Sequence, residues 1–302
     1  MATPERNATM NASPPLPYIG VTGIVTPEDV LTVKDCVRVI RDHCPKGEDG
    51  LPTHRFMAGV LVSYKTLTDQ PLTNRRYPHR AHVEPLLAWC LAAGAWPVIH
   101  FNTHAKGEAL LKELFQLCVE FPSARGLQLN LVCPDPEVVR GFTSAFHHHV
   151  EVILQINHTS LVKSAKPPQK MAQPLDYALG YAKWSDAGIS HALLDASGGK
   201  GKLFDHRTAD TIIETLGHLK ERGVRLGLAG GLGPDCGTAI DDLKAGLAGH
   251  GGDPDIELQE LSYDSESRVR VPVPDPIAGE KYQDMLDRTK ALNYTSVLCA
   301  AL

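Results

Sequence analysis

The most chemically pointed stretch of this chain is an aspartate that ends an apolar run and opens a glycine- and lysine-bearing loop, Leu193-Leu194-Asp195-Ala196-Ser197-Gly198-Gly199-Lys200-Gly201-Lys202. A carboxylate at the carboxyl end of a buried strand can give or take a proton. The glycines let the backbone approach a ligand, and lysines such as Lys202 bring positive charge to an anion. A structural role, capping the next helix, fits less well, because the glycine loop separates Asp195 from the helix expected near Arg207. A second junction follows one helix later, Leu228-Ala229-Gly230-Gly231-Leu232-Gly233-Pro234-Asp235. Gly230 and Gly231 permit a tight left-handed turn, and turns at such a place commonly take phosphate. A third loop, with Ser267 and Arg268, is placed to add a hydroxyl and a guanidinium.

A proton transfer also needs a partner group. His158 directly follows an apolar run and opens a long loop, which makes it the preferred base; a loop histidine bonded to backbone is the plain reading. His100, His104 and Cys133 are the other candidates at expected strand ends, although His100 alternates with apolar neighbours in a way that suits the helix layer. His147-His148-His149 lies at a helix end, where cationic side chains suit the dipole, and is read as structural rather than as a metal site. No CxxC or His/Cys spacing calls for a metal, and no dinucleotide fingerprint calls for a redox cofactor, so none is expected.

Positioning such residues requires alternating strands and helices. Strands are expected over Tyr18–Val25, Phe56–Tyr64, Trp96–Asn102, Gly126–Val132, Val150–Asn157, His191–Ala196, Arg225–Ala229 and Asp255–Ser262. Helices are expected over Thr26–Asp42, Val83–Ala93, Gly107–Phe121, Asp135–Phe146, Pro174–Ala187, Arg207–Arg222, Pro234–Ala248 and Ala278–Leu292. Eight such units predict a closed (β/α)8 TIM barrel of the phosphate-binding type rather than an open doubly wound sheet. Residues 1–17 are polar and proline-rich and read as a disordered leader, with the barrel over 18–292 and an apolar tail over 293–302. Two long connections, Lys65 to Ala81 and His158 to Gln173, leave carboxyl strand ends and are expected to clamp a ligand or to be solvated insertions.

Composition narrows the partners. A chain of 302 residues that is 43% hydrophobic can bury one large core. Its net charge of −5 with no basic stripe argues against nucleic acid, and no apolar run is long enough to span a bilayer. Seven scattered cysteines suit a reducing, cytoplasmic setting, and a homodimer is the assembly left open.

Short islands at the expected strand ends resemble the phosphoribosylanthranilate isomerases. They are Val21-Thr22-Gly23-Ile24-Val25-Thr26-Pro27-Glu28-Asp29, Arg76-Tyr77, Leu127-Gln128-Leu129-Asn130 with Asp135-Pro136-Glu137, Leu194-Asp195 with Gly199 to Asp205, Leu228 to Leu232, and Asp264 to Val269. The resemblance implies a (β/α)8 barrel that isomerises an aminoaldose to an aminoketose. Asp195 would be its general acid, and Arg76, Gln128, Asn130 and Lys202 would meet the substrate. The family's general base is a cysteine where this chain has Thr22, whose hydroxyl is too weak for that task. Asn130 stands at a family histidine, and Arg268 at a family glycine. The resemblance therefore implies an isomerase-like enzyme for a sugar phosphate or related anionic metabolite that has diverged from the tryptophan-pathway reaction. A lyase or glycosyl-cleaving barrel using Asp195, and a non-catalytic ligand-binding or scaffold barrel, are the alternatives.

Overall fold

A computed structural model of the protein describes residues 15–72, 74–131, 134–146, 149–157, 186–195, 219–249, 253–275 and 279–302. Eight parallel strands close into one barrel in sequence order: β1 (Tyr18–Thr22), β2 (Arg55–Ser63), β3 (Trp96–Asn102), β4 (Gly126–Leu129), β5 (Glu151–Asn157), β6 (His191–Asp195), β7 (Arg225–Ala229) and β8 (Ser262–Ser265). The barrel closes where β8 pairs with β1, Gly20 opposite Asp264. The strands are buried on both faces, which is why Phe56 to Ser63 read as an almost unbroken apolar run.

Among the described residues the outer layer comprises α1 (Pro27–His43), a short α2 (Tyr64–Leu67), α3 (Arg80–Ala92), α4 (Gly107–Glu120), α5 (Pro136–Phe146), α6 (Gly237–Gly249), α7 (Pro254–Gln259) and α8 (Arg288–Ala301). Most of the helices expected over Pro174–Ala187 and Arg207–Arg222 lies outside the described residues. The start of α1 shows how the sequence sets an element. The Thr26 hydroxyl accepts from Asp29 N, the Asp29 carboxylate accepts from Val25 N and Thr26 N at 2.8 and 2.9 Å, and Pro27 opens the first turn.

The amino end of the barrel is floored by rings. Tyr18, Trp96 and His191 pack with centroids 5.3–5.6 Å apart, and the Arg55 guanidinium lies 3.5 Å from the Trp96 centroid while it forks onto Glu151 at 2.6 Å. Burial and the nearby Arg55 charge push the His191 imidazole down to about 3, so this floor is neutral at its centre. Residues 15–17 of the expected leader are tied to this end: the carbonyls of Pro15, Leu16 and Pro17 accept from Arg225 Nε, His191 Nε2 and Arg55 N.

Two expectations near the carboxyl terminus are corrected. The stretch expected as a strand over Asp255–Ser262 is mainly α7, because Asp253 caps it, accepting from Asp255 N and Ile256 N, and Pro254 opens its first turn. The eighth strand is the shorter, polar Ser262–Ser265. The helix expected over Ala278–Leu292 is replaced by an antiparallel pair, β9 (Arg270–Asp275) and β10 (Gly279–Leu286), followed by α8. Asp287 caps α8 by accepting from Lys290 N at 3.0 Å. The tail expected over 293–302 thus belongs largely to α8, which buries Ala291, Tyr294, Thr295, Leu298 and Cys299 and packs along α1.

Candidate active site

At the carboxyl end of the barrel a cavity of about 160 Å³ opens, lined by Arg76, His100, Gln155, Asp195, Asp264, Glu266, Ser267 and the turn Ala229 to Leu232. Each wall has a structural reason. Asp195 ends β6 opposite Ala229, and Ala229 lies opposite Asp264 on β8. Strands β6 and β8 are alternate strands, so two carboxylates at the same level both face the interior, separated by β7 and so by roughly 10 Å of backbone. Ala229 keeps the ground between them open. Gly230 and Gly231 then turn with φ of +94° and +77°, which a side chain would strain.

A buried polar network runs across the barrel beneath this cavity. The Thr22 hydroxyl donates to Asp264 at 3.1 Å. Gln128 lies 3.2 Å from both His100 Nε2 and Gln155 Oε1. Gln155 Oε1 is 3.0 Å from His100 Nε2, and the Gln155 amide donates to Asp195 at 3.2 Å. Gln128, His100, Gln155 and Asp195 therefore form one polar group joining the fourth, third, fifth and sixth strands, and Thr22 and Asp264 form a second joining the first and eighth.

The two carboxylates differ in setting. Asp264 is 5% exposed, and burial, followed by the negative charge of Glu266, pushes its carboxyl up to about 7. The bond from Thr22 opposes that rise without cancelling it. Asp195 is 8% exposed and anchored through Gln155. Burial lowers the His100 imidazole, and the single Nε2 of the neutral ring either donates to Gln155 Oε1 or accepts from the Gln128 amide. At the rim Arg76 donates to Glu266 at 3.0 Å, holding a guanidinium over the cavity from the long segment between β2 and α3. Beneath, the Arg270 guanidinium binds the carbonyls of Thr22 and Gly23, tying the end of β1 to the segment after β8.

Of the residues singled out in the sequence, Asp195, Arg76, Gly230, Gly231 and Ser267 meet at this cavity, and Gln128 lies in the network below it. Asn130 follows β4 half-buried, with its backbone N bonded to Phe101 O, and is not among the lining residues. Arg268 is turned away and pairs with Asp235, since its side chain passes directly over Gly233. His158, Lys202 and Cys133 lie outside the described residues, as do His147 and His148. His104 is exposed, against the Tyr64 ring. His100 was expected to suit the helix layer, but it faces the barrel interior. Asp264, Gln155 and Glu266 were missed as chemical groups. The signal for Asp264 was its place in the short island Asp264 to Val269, and misplacing the eighth strand by several residues hid its position at a strand end. Among the described residues, no three His, Cys, Asp or Glu side chains are grouped to hold a metal ion, and no helix is long and apolar enough to cross a membrane.

No protein-family model matches the chain, and no curated protein matches it. Solved structures do. It is similar to phosphoribosyl anthranilate isomerase from Thermus thermophilus, with 18% identity and a TM-score of 0.50 over 94% of this chain and 98% of that one. It is likewise similar to phosphoribosyl anthranilate isomerase from Thermotoga maritima, with 16% identity and a TM-score of 0.50 over 92% and 96%. The likeness runs nearly end to end and concerns the fold. The chain is a closed, eight-stranded parallel α/β barrel of the shape found in phosphoribosyl anthranilate isomerases.

Proposed function

We propose that the protein is an isomerase-like enzyme acting on a sugar phosphate or related anionic metabolite at the carboxyl mouth of the barrel. The observation that carries this reading is the pair Asp195 and Asp264, two buried carboxylates at one level of the mouth, each held by a hydrogen bond from a side chain on the neighbouring strand. An aldose-to-ketose rearrangement needs one group to protonate the ring or carbonyl oxygen and another to take the proton from the adjacent carbon. Asp195 serves as the acid. Asp264, with a carboxyl pushed up to about 7, is a better base at neutrality than an ordinary aspartate. It also contacts Thr22, the position of the family cysteine, so the base is moved from the first strand to the eighth without leaving the site. Gly230, Gly231 and Ser267 take the phosphate through the turn after β7 and the loop after β8. Arg76 orients the anionic end. His158 and Lys202 belong to the same reading as contributors from the loops after the fifth and sixth strands. The setting proposed is cytoplasmic.

The experiment is turnover of phosphoribosylanthranilate, followed by anthranilate-type fluorescence, with Asp195→Asn and Asp264→Asn beside the parent chain. Turnover that falls at least about a hundredfold in both variants supports the assignment. Turnover that survives Asp264→Asn returns the base to His158. Absence of turnover, with thermal stabilisation by ribose 5-phosphate, keeps the phosphate site and assigns a different reaction. Neither turnover nor stabilisation favours a scaffold.

A further inference from the structure

Beside the mouth lies a second and larger cavity, of about 480 Å³, which shares no lining residue with it among the described residues. It opens between α2, the segment 68–79 and the start of α3, with Val25, just after β1, in its wall. Consecutive residues serve the two spaces: Arg76 lines the mouth, while Arg75 and Tyr77 line the second cavity. Asn74 sets this turn of the chain. Its side-chain oxygen accepts from Arg76 N at 3.0 Å and its carbonyl accepts from Tyr77 N at 3.2 Å. A cavity of this volume is of the size that takes a small organic molecule.

The wall of this cavity joins positive charge to apolar surface. Asp69 is the one carboxylate among its described lining residues, and it is already paired, accepting from Arg80 Nη1 at 2.9 Å. Arg80 is itself fully engaged. Its Nη1 also donates to the Leu67 carbonyl at 2.9 Å, and its Nε and Nη2 fork onto Glu120 at 3.0 and 2.6 Å. Lys65 differs. It is half-buried in the wall, and among the described residues its ammonium meets no acceptor. A partly desolvated cation of that kind gains from a counter-charge. His79 adds a donor, since its Nδ1 accepts from Ala81 N at 3.3 Å and the hydrogen of the neutral ring is then on Nε2. Leu72, Tyr77 and Pro78 supply the apolar ground, the first two half-buried and the third buried.

We propose that this second cavity binds a small organic acid, with the anionic group at Lys65 and the apolar body against Leu72, Tyr77 and Pro78. The ammonium supplies a compact charge and up to three donors, which selects an anion over a neutral or cationic group on the same body. The apolar wall gives the body its share of the binding, so inorganic anions alone are held weakly. The site stands apart from the reaction proposed at the mouth and needs none of its carboxylates.

The test titrates the full-length chain, by fluorine NMR, with a hexanoate ending in a trifluoromethyl group, and with the alcohol and the amine of the same chain. The acid should bind saturably and more tightly than either analogue, by roughly fivefold or more, and lose that preference in Lys65→Gln. Leu72→Glu, which sets a second carboxylate in the wall, should turn the preference toward the amine. Ribose 5-phosphate should not displace the acid, and Asp195→Asn should leave its binding unchanged. Equal binding of acid and alcohol, no saturable binding of the acid, or unaltered selectivity in Lys65→Gln would each overturn the proposal. So would displacement by ribose 5-phosphate, which would place the probe in the mouth. The comparison of acid with alcohol in the parent chain decides the matter even if a variant fails to fold. Failure of ribose 5-phosphate to stabilise the protein would count against the reading of the mouth and leave the result for this cavity standing.

Discussion

Thr22 ends the first strand with a hydroxyl whose chemistry is weak on its own but whose hydrogen bond reaches an acid on the eighth. The Thr22 hydroxyl donates to Asp264 at 3.1 Å and so orients the carboxyl that the proposed function uses as its base. Asp264 is also where the electrostatics are measurable. Its folded value, about 7, lies above the ordinary 3.8, so between those pH values the folded protein holds a proton that the unfolded chain has released. Its contribution to stability is therefore full below about pH 4 and is lost as pH rises through 7. Asp264→Asn should flatten the pH dependence of unfolding across that window and be the more stable protein at pH 8.5, by up to about 4 kcal/mol. Urea melts of both proteins at pH 4, 6 and 8.5 check this. Curves that stay parallel would mean that another group titrates.

At the scale of elements, the site depends on close approach between neighbouring strands. A Cβ on Gly59 would lie 2.6 Å from Thr22 Oγ1 and 3.0 Å from Thr22 Cα, so β1 and β2 meet correctly only with glycine there. Gly59→Ala is expected to cost about 1–3 kcal/mol and to displace Thr22 from Asp264. Gly20→Ala should be milder, because its new methyl meets first the mobile end of Met57. Guanidinium-melt midpoints of the two variants give the comparison, and equal losses would count against the argument. The floor offers a second test. Arg55→Lys keeps the charge but loses the fork onto Glu151 and the stacking on Trp96, with an expected cost of about 1 kcal/mol since the pair is partly exposed.

Across the whole molecule, closure is completed by α8, which covers the seam between β1 and β8 by packing on α1. Leu298 is fully buried there, and Leu298→Ala should remove about 2–4 kcal/mol, read from the same melts. The candidate site lies at the other end of the barrel, so under the proposed function this variant should respond to ribose 5-phosphate as the parent chain does at temperatures where it is folded. Loss of ligand stabilisation in the folded variant would mean that the two ends are coupled.

Much of this architecture could be read from residue order. The alternation of buried runs with capped amphipathic segments determined the strand order through β7, because apolar periodicity, Pro27 after Thr26 and glycine turns act locally. Trp96–Asn102 and Arg225–Ala229 were legible to the residue. Asp195 and the Gly230-Gly231 turn were legible as chemistry because a charge or a glycine pair interrupts an apolar strand. The carboxyl-terminal quarter was not. There the true strand is four residues long and polar at three of them, while α7 carries enough alternating apolar residues to imitate a strand. What only the tertiary structure decided was partnership. Thr22 meets Asp264 across 242 residues, Gln155 meets Asp195 across 40, and the last helix lies on the first only because the barrel closes. A side chain's own type sets which bonds it can make. Closing the sheet sets which partners lie within reach and how much water is left around them, and so decided that the Asp264 carboxyl lies well above an ordinary aspartate.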